Sequence, residues 1–264
     1  MDLLYRVKTL WAALRGNHYT WPAIDIFLPG NRDFHLVGSI HMGTRDMAPL
    51  PARLLKKLKR ADALIVEADV SDHDTPFASL PTCAALEDRI SEEQLHNLRK
   101  IVEELGISLS LFSTQPLWQI AMILQATQAQ QLGLRPEYGI DYQLLQAAKQ
   151  TQKPVIELEG VASQIALLCQ LPDNGLALLD DTLTHWHTNA RQLQQMMSWW
   201  LKMPQQHGDI TLPRTFSQSL YDVLMHQRNL AWRDRLNAMP PGQYVVAVGA
   251  LHLYGEGNLP ELMR

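Results

Sequence analysis

Apolar positions along the chain switch between two periods. Leu3, Leu4, Val7, Leu10, Trp11 and Leu14 recur at helical spacing, with Asp2, Arg6, Lys8 and Arg15 off that face. This predicts an amphipathic docking helix, with contact at a membrane interface as the alternative. A signal peptide is not expected: the run Leu10-Trp11-Ala12-Ala13-Leu14 is short, Arg15 closes it, and no small-residue cleavage site follows. The period then shortens. Ala23 to Leu28 and Phe34 to Val37 read as strands, and Pro29-Gly30-Asn31 between them predicts a hairpin. Pro49 to Arg60 returns to helix, with Leu50, Leu54, Leu55 and Leu58 on one face. Ala63-Leu64-Ile65-Val66-Glu67-Ala68 follows as a buried strand interrupted by an acid. Strand, helix and strand in this order predict a βαβ unit, with a parallel pair and a right-handed crossover.

Beyond it, Ser71 to Pro81 is a loop rich in Asp, Ser and Pro, and the pattern turns helical. Ser91 to Leu105 opens with the capping-box run Ser91-Glu92-Glu93-Gln94. Gln115 to Leu132 and Asp141 to Gln150 are further helices, and Pro154 to Glu159 is again a strand. Gly175 to Leu201 reads as the longest helix. Its seam of Leu179, Leu183, Trp186, Ala190, Leu193, Met197 and Trp200 either packs on the chain's own core or pairs with a partner helix in a homodimer. Gln205 to Thr211 is a loop, Phe216 to Ala238 a helix, and Tyr244 to Val248 the last strand, followed by a short helix. The whole predicts an α/β fold. A mixed central sheet carries an N-terminal hairpin and a βαβ unit, flanked by many helices. Residues 1–264 are read as one domain, with helical insertions at about 71–150 and 173–238.

Composition narrows the function classes. A net charge of −4 with no basic stripe argues against a general nucleic-acid binder. No apolar run approaches the ~18 residues of a spanning helix. Cys83 and Cys169 form no CxxC pair and no disulfide framework, which fits a reducing, cytoplasmic setting.

One pattern carries candidate chemistry. Gly38-Ser39-Ile40-His41 follows the Phe34 strand, and Gly249-Ala250-Leu251-His252 follows the Tyr244 strand. In each, a Gly allows a tight turn or a close approach, and a His is presented at the carboxyl end of a strand, where open α/β sheets place their sites. Other histidines fall away on geometry. His185 and His187 point roughly 200° apart on a helix, and His35 lies about 20 Å along the strand from His41.

Carboxylates supply the other half. Glu67 closes an apolar strand, where it is either paired with a cation or metal or solvated at the strand end. Glu157 and Glu159 share parity at another strand end, and Asp141 reads as the N-cap of its helix. Two imidazoles with one or two carboxylates suit Zn²⁺, Mn²⁺, Co²⁺ or Fe²⁺ and metal-assisted hydrolysis. Arg228-Asn229, on the helix before the last strand, would either clamp a substrate carboxylate or oxyanion or pair with Asp222 or Asp234. No Walker A, dinucleotide fingerprint or Gly-x-Ser-x-Gly is present.

Gly38-Ser39-Ile40-His41, Val66-Glu67-Ala68-Asp69, Gly139-Ile140-Asp141, Leu158-Glu159-Gly160, Arg228-Asn229 and Val248-Gly249-Ala250-Leu251-His252-Leu253-Tyr254-Gly255 occur in this order. Together they resemble the TraB/PrgY/GumN family, which includes the TIKI metalloproteases. The resemblance runs from about His35 to the end of the chain. It implies a fold similar to that of erythromycin esterases and haem-binding ChaN-like proteins. It also implies a peptidase activity that depends on Mn²⁺, Co²⁺ or Zn²⁺. On that basis His41, Glu67, His252 and Glu159 are the expected metal ligands. His41, Glu67, His252 and Arg228 are the expected catalytic residues, and Arg228 and Asn229 the expected contacts to a peptide or protein substrate. Gly160 stands where the family pattern leads one to expect Thr. Two alternatives stand beside this reading: a protein that binds peptide, metal or haem without turnover, and a metal-free hydrolase in which His41 or Glu67 activates water.

Overall fold

The computed structural model describes residues 19–71, 82–202 and 216–264. The expected N-terminal helix, the Gln205–Thr211 loop and nearly all of the Ser71–Pro81 loop lie outside these residues. The hairpin forms as predicted from β1 (Ala23–Leu28) and β2 (Arg32–Ser39). Its turn passes through Gly30 and Asn31 at φ +82° and +57°, a region that glycine and asparagine reach at little steric cost. Helix α1 (Ala52–Arg60) and strand β3 (Ala63–Val66) follow.

β2 and β3 are parallel, but they are not neighbours. The last strand, β5 (Gly242–Gly249), lies between them and pairs in parallel with both. The sheet order is β1-β2-β5-β3-β4, with β4 (Val155–Glu157) parallel to β3 at the far edge. The expected adjacent pair is therefore split by a strand from the end of the chain. The reason lies in composition: Tyr244 to Val248 are all buried, and a strand this apolar on both faces belongs in the centre of a parallel sheet.

Both sheet faces are covered. On one, Leu54 and Leu58 of α1 meet Val37, Leu64, Val66, Val245 and Ala247. On the other, Phe34, Leu36, Ile65, Val246 and Val248 pack with Trp232 and Leu236. A third core is helical, with Leu98, Ile101 and Val102 of α2 (Glu92–Leu105) against Trp118, Ile120 and Leu124 of α3 (Leu117–Gln131). The capping box of α2 is made, with Ser91 Oγ accepting from Gln94 N–H and Gln94 accepting from Ser91 N–H. Helix α4 (Ile140–Gln150) precedes β4, and α5 (Val161–Cys169) follows it.

The long helix expected over Gly175–Leu201 is two. His185, at φ −101° and ψ 21°, separates α6 (Leu176–Thr184) from α7 (Trp186–Leu201). The seam is buried inside the chain: Leu179, Leu183 and Trp186 enter the helical core, and Met197 and Trp200 the sheet core. Leu193, half-buried, packs against the same sheet core. The Phe216–Ala238 helix begins later, at α8 (Gln218–Tyr221), passes through a π-helical turn at Asp222–His226, and continues as α9 (Gln227–Asn237). A short α10 (Leu259–Leu262) ends the fold. Among the described residues no helix is long and apolar enough to cross a membrane.

Leu64 is fully buried at the centre of β3. Leu64→Ala is expected to lower unfolding stability by about 2–5 kcal/mol through lost burial and a residual cavity. Urea denaturation followed by far-UV circular dichroism measures this.

Candidate active site

The parallel strands end side by side, and each delivers one of the expected residues to the carboxyl edge. In sheet order these are His41 after β2, His252 after β5, Glu67 after β3 and Glu159 after β4. The two Gly-x-x-His turns touch. A Cβ on Gly38 would come within 3.2 Å of Ala250 Cα and of Pro22 Cβ, so this position needs its glycine for close approach rather than for a special φ. Trp200 Nε1 donates to Gly38 O at 3.0 Å and anchors the first turn to α7. At Gly249 the backbone N–H donates to Glu67 Oε1 at 2.6 Å.

Arg228, on α9, is the hub. Nη2 donates to Glu67 Oε2 at 2.6 Å and to Glu159 Oε2 at 3.1 Å, and Nε donates to Glu159 Oε1 at 2.8 Å. Nη1 reaches Leu224 O at 3.2 Å, within the π-helical turn, and His252 Nε2 at 3.4 Å. The guanidinium also lies 4.6 Å from the centre of the Trp232 ring. Neither Asp222 nor Asp234 is its partner. Its side chain is only 16% exposed, which makes the paired carboxylates a requirement rather than an ornament.

Each histidine has a second partner that fixes its tautomer. Asn229 Nδ2 donates to Gly257 O at 3.0 Å, so Asn229 Oδ1 is free to accept from His252 Nδ1 at 2.6 Å. His252 Nε2 then carries a lone pair toward Arg228. Asp141 Oδ2 lies 2.9 Å from His41 Nδ1. An ionised carboxylate only accepts, so Nδ1 holds the proton and Nε2 is left open. His41 is 69% exposed at its side chain, whereas His252 is buried.

The family model for the TraB/PrgY/gumN family matches residues 25–264. The chain belongs to that family. It is 83% identical over 264 residues, spanning all of both chains, to the uncharacterized protein YbaP of Escherichia coli (strain K12). The same identity and coverage hold for the YbaP protein of Shigella flexneri. No solved structure matches significantly.

In this TraB/PrgY/gumN member several expected roles are redistributed. Asp141 is not an N-cap: Gly139 takes that position, and the Asp141 carboxylate serves His41. Asn229, expected to touch substrate, is 1% exposed and is spent on orienting His252. Glu159 faces Arg228, while Glu157 Oε1 accepts from Asp69 N–H at 2.7 Å instead. Gly160 departs from the expected Thr for a backbone reason: its φ is +85°, where a β-branched residue is strained. Gln164 of α5, which carried no sequence signal, donates to Glu67 Oε2 at 3.3 Å. Trp232, which carried no sequence signal either, lies 4.4 Å from the His252 ring.

The expected ligands do not gather around one point. Glu67 Oε2 and both Glu159 oxygens lie on Arg228. Among the described residues no three His, Cys, Asp or Glu side chains converge as an ion would need. A divalent cation placed among these carboxylates would face a guanidinium already bonded to them, so His41, Glu67, His252 and Glu159 do not fit a metal in this arrangement.

Electrostatics drives the two imidazoles apart. The charge of Asp141, then its hydrogen bond, then Glu67 push His41 up to about 9, with Arg228 acting against them. Burial is the main influence on His252 and lowers it to about 4; Arg228 and His41 act with it and Glu67 against it. Burial opposes ionisation of Glu67, and the field of His252, Arg228 and His41 with the Gly249 N–H overcomes it, holding the carboxyl at about 2. Arg228 is the partner that stays charged at every working pH.

Two outcomes follow. In ¹³C-histidine NMR, His41 should titrate well above the ordinary ~6.5 and return toward it in Asp141→Asn; an unshifted His41 in both proteins would remove the pairing. His252 binds its proton in the unfolded chain below ~6.5 but in the fold only near 4. While the contribution of the raised His41 fades as pH climbs from ~6.5 toward about 9, that of His252 is complete above ~6.5 and is lost as pH drops toward about 4. Burial depresses His35 in the same direction. Guanidinium melts should show a less stable protein at about pH 5 than at about pH 7.

Proposed function

We propose that the protein is a hydrolase that uses His41 as its proton-transfer group, in the metal-free form of the reading. The observation that carries it is the His41–Asp141 pair: an exposed imidazole whose Nδ1 is held by a buried carboxylate, with Nε2 open at an edge that also presents Arg228. A base oriented by a third group is the arrangement that activates water or a nucleophile. In this scheme neutral His41 Nε2 takes a proton from water as the oxygen adds to a carbonyl carbon. The five N–H groups of Arg228 are already taken up by Glu67, Glu159, Leu224 O and His252, so Arg228 sets the shape and charge of this edge and gives no donor to the carbonyl oxygen. The imidazolium then returns the proton to the leaving group as the acyl bond breaks. Glu67 and Glu159 position the guanidinium, and Asn229 positions His252.

The choice of peptide as substrate rests on the TIKI metalloproteases of the family. An erythromycin esterase-like arrangement of the α/β core is part of the same proposal, and the two free cysteines, Cys83 and Cys169, support a cytoplasmic setting. The Mn²⁺-, Co²⁺- or Zn²⁺-dependent form requires Arg228 to leave the carboxylates.

A peptide-library cleavage assay on chelated protein tests the proposal. Activity should persist without metal and rise with pH toward about 9, the value to which His41 is pushed. His41→Ala should lose about 10²–10⁴-fold in kcat. Asp141→Asn should lower kcat and shift the pH profile to lower pH. Activity that vanishes on chelation and returns with Mn²⁺ would replace the metal-free scheme by the metal-dependent one. Full activity in His41→Ala would remove both.

A further inference from the structure

A polar cavity of about 430 Å³ lies at the opposite edge of the sheet from the site above. That is within the ~300–1,000 Å³ typical of small-molecule pockets. Its floor is one row of sheet side chains. Asp25 pairs with His35 across β1 and β2, and Asp33 and Gln243 pair across β2 and β5, so strand alternation turns them all to the same face. Its wall is α1. Leu54 and Leu58 bury one side of that helix, and Arg53, Lys56, Lys57 and Arg60 line the cavity. Those four recur at three- and four-residue spacing and form one stripe.

The buried Asp25–His35 pair is not a second proton-transfer centre. Trp21 Nε1 donates to His35 Nε2 at 3.2 Å, so the proton sits on Nδ1, which lies 2.6 Å from Asp25 Oδ1. Asp25 also accepts from the Tyr19 hydroxyl and from Lys57 Nζ, the latter at 3.5 Å. Unlike His41, this imidazole has no open nitrogen. Lys57 is committed to Asp25. Among the described residues no ion pair forms on Arg53, Lys56 or Arg60. Three cations therefore border a concave space whose carboxylates do not neutralise them.

We infer that this cavity binds a small phosphate-bearing molecule, separately from the hydrolytic centre. Guanidinium and ammonium groups along one wall match several phosphate oxygens at once. Gln243 offers hydrogen-bonding groups for hydroxyls on the attached organic part. Phe27, which pairs with Asp33 across β1 and β2, gives it an apolar border.

Isothermal titration of the full chain at about 0.15 M salt, where weak surface charge effects are screened, tests this with ATP, AMP and inorganic pyrophosphate. Phosphatidylglycerol and phosphatidylcholine vesicles are compared in parallel. Saturable binding of at least one free phosphate compound is expected, weakened about tenfold or more in Lys56→Gln/Arg60→Gln. Both heads are exposed, so the variant should melt like the parent. Lys56→Arg/Arg60→Lys, which keeps the charge, should restore most of the affinity. No saturable binding, equal affinity in the Gln variant, or association with phosphatidylglycerol vesicles alone would each overturn the inference. Binding is read without turnover, so a failure of the hydrolase reading leaves this test intact.

Discussion

The fold's carboxyl edge depends on one buried cation. Glu67 and Glu159 arrive on different strands, and Glu67 is buried where a lone charge is costly. Arg228 answers both with a planar set of donors that an ammonium group could not reproduce. Because the guanidinium comes from α9, the ion cluster also ties that helix to β3 and β4. An uncompensated charge in such a place costs about 3–5 kcal/mol, a large share of the stability of an ordinary domain. Helix, sheet edge and carboxylates are thus fixed by a shared electrostatic need.

The rest of the site follows from where each histidine sits relative to that cation. His252 lies behind it, closed between Trp232 and Asn229, and is held neutral. His41 lies in front, open to solvent, with its own carboxylate. Identical motifs therefore produce different side chains: one imidazole packs and supports, the other is free to exchange protons. Like groups pushed to opposite protonation states are how a single site can supply different functions near neutral pH.

The strands and the two Gly-x-x-His turns were legible because each leaves a local mark: an apolar run, a Gly, a His. The hairpin turn and the α2 capping box were equally local. What could not be read was pairing at a distance. Asp141 looked like a cap because its own neighbours explain it, and its partner His41 is 100 residues away. Arg228 offered plausible partners one turn along its helix, and the structure chose acids from two strands. The break at His185 was masked by an apolar seam that runs through it. The order of the sheet depended on β5 displacing β2 from β3, which no periodicity encodes. The cavity at the opposite edge combines two familiar patterns, a basic helical stripe and alternating strand positions, that only the fold superimposes.

The central place of β5 also governs how the protein comes into being. During synthesis β2, β3 and β4 emerge well before the strand that must lie between the first two, and β2 and β3 are not each other's partners. Until residues 242–249 arrive, the sheet has a gap at its middle, and the Gly38 turn lacks the Ala250 backbone against which it packs. Pairings of such long sequence separation form late and slowly. The turn that carries His41 is therefore completed only when the strand that carries His252 has joined the sheet, after most of the described residues have been made.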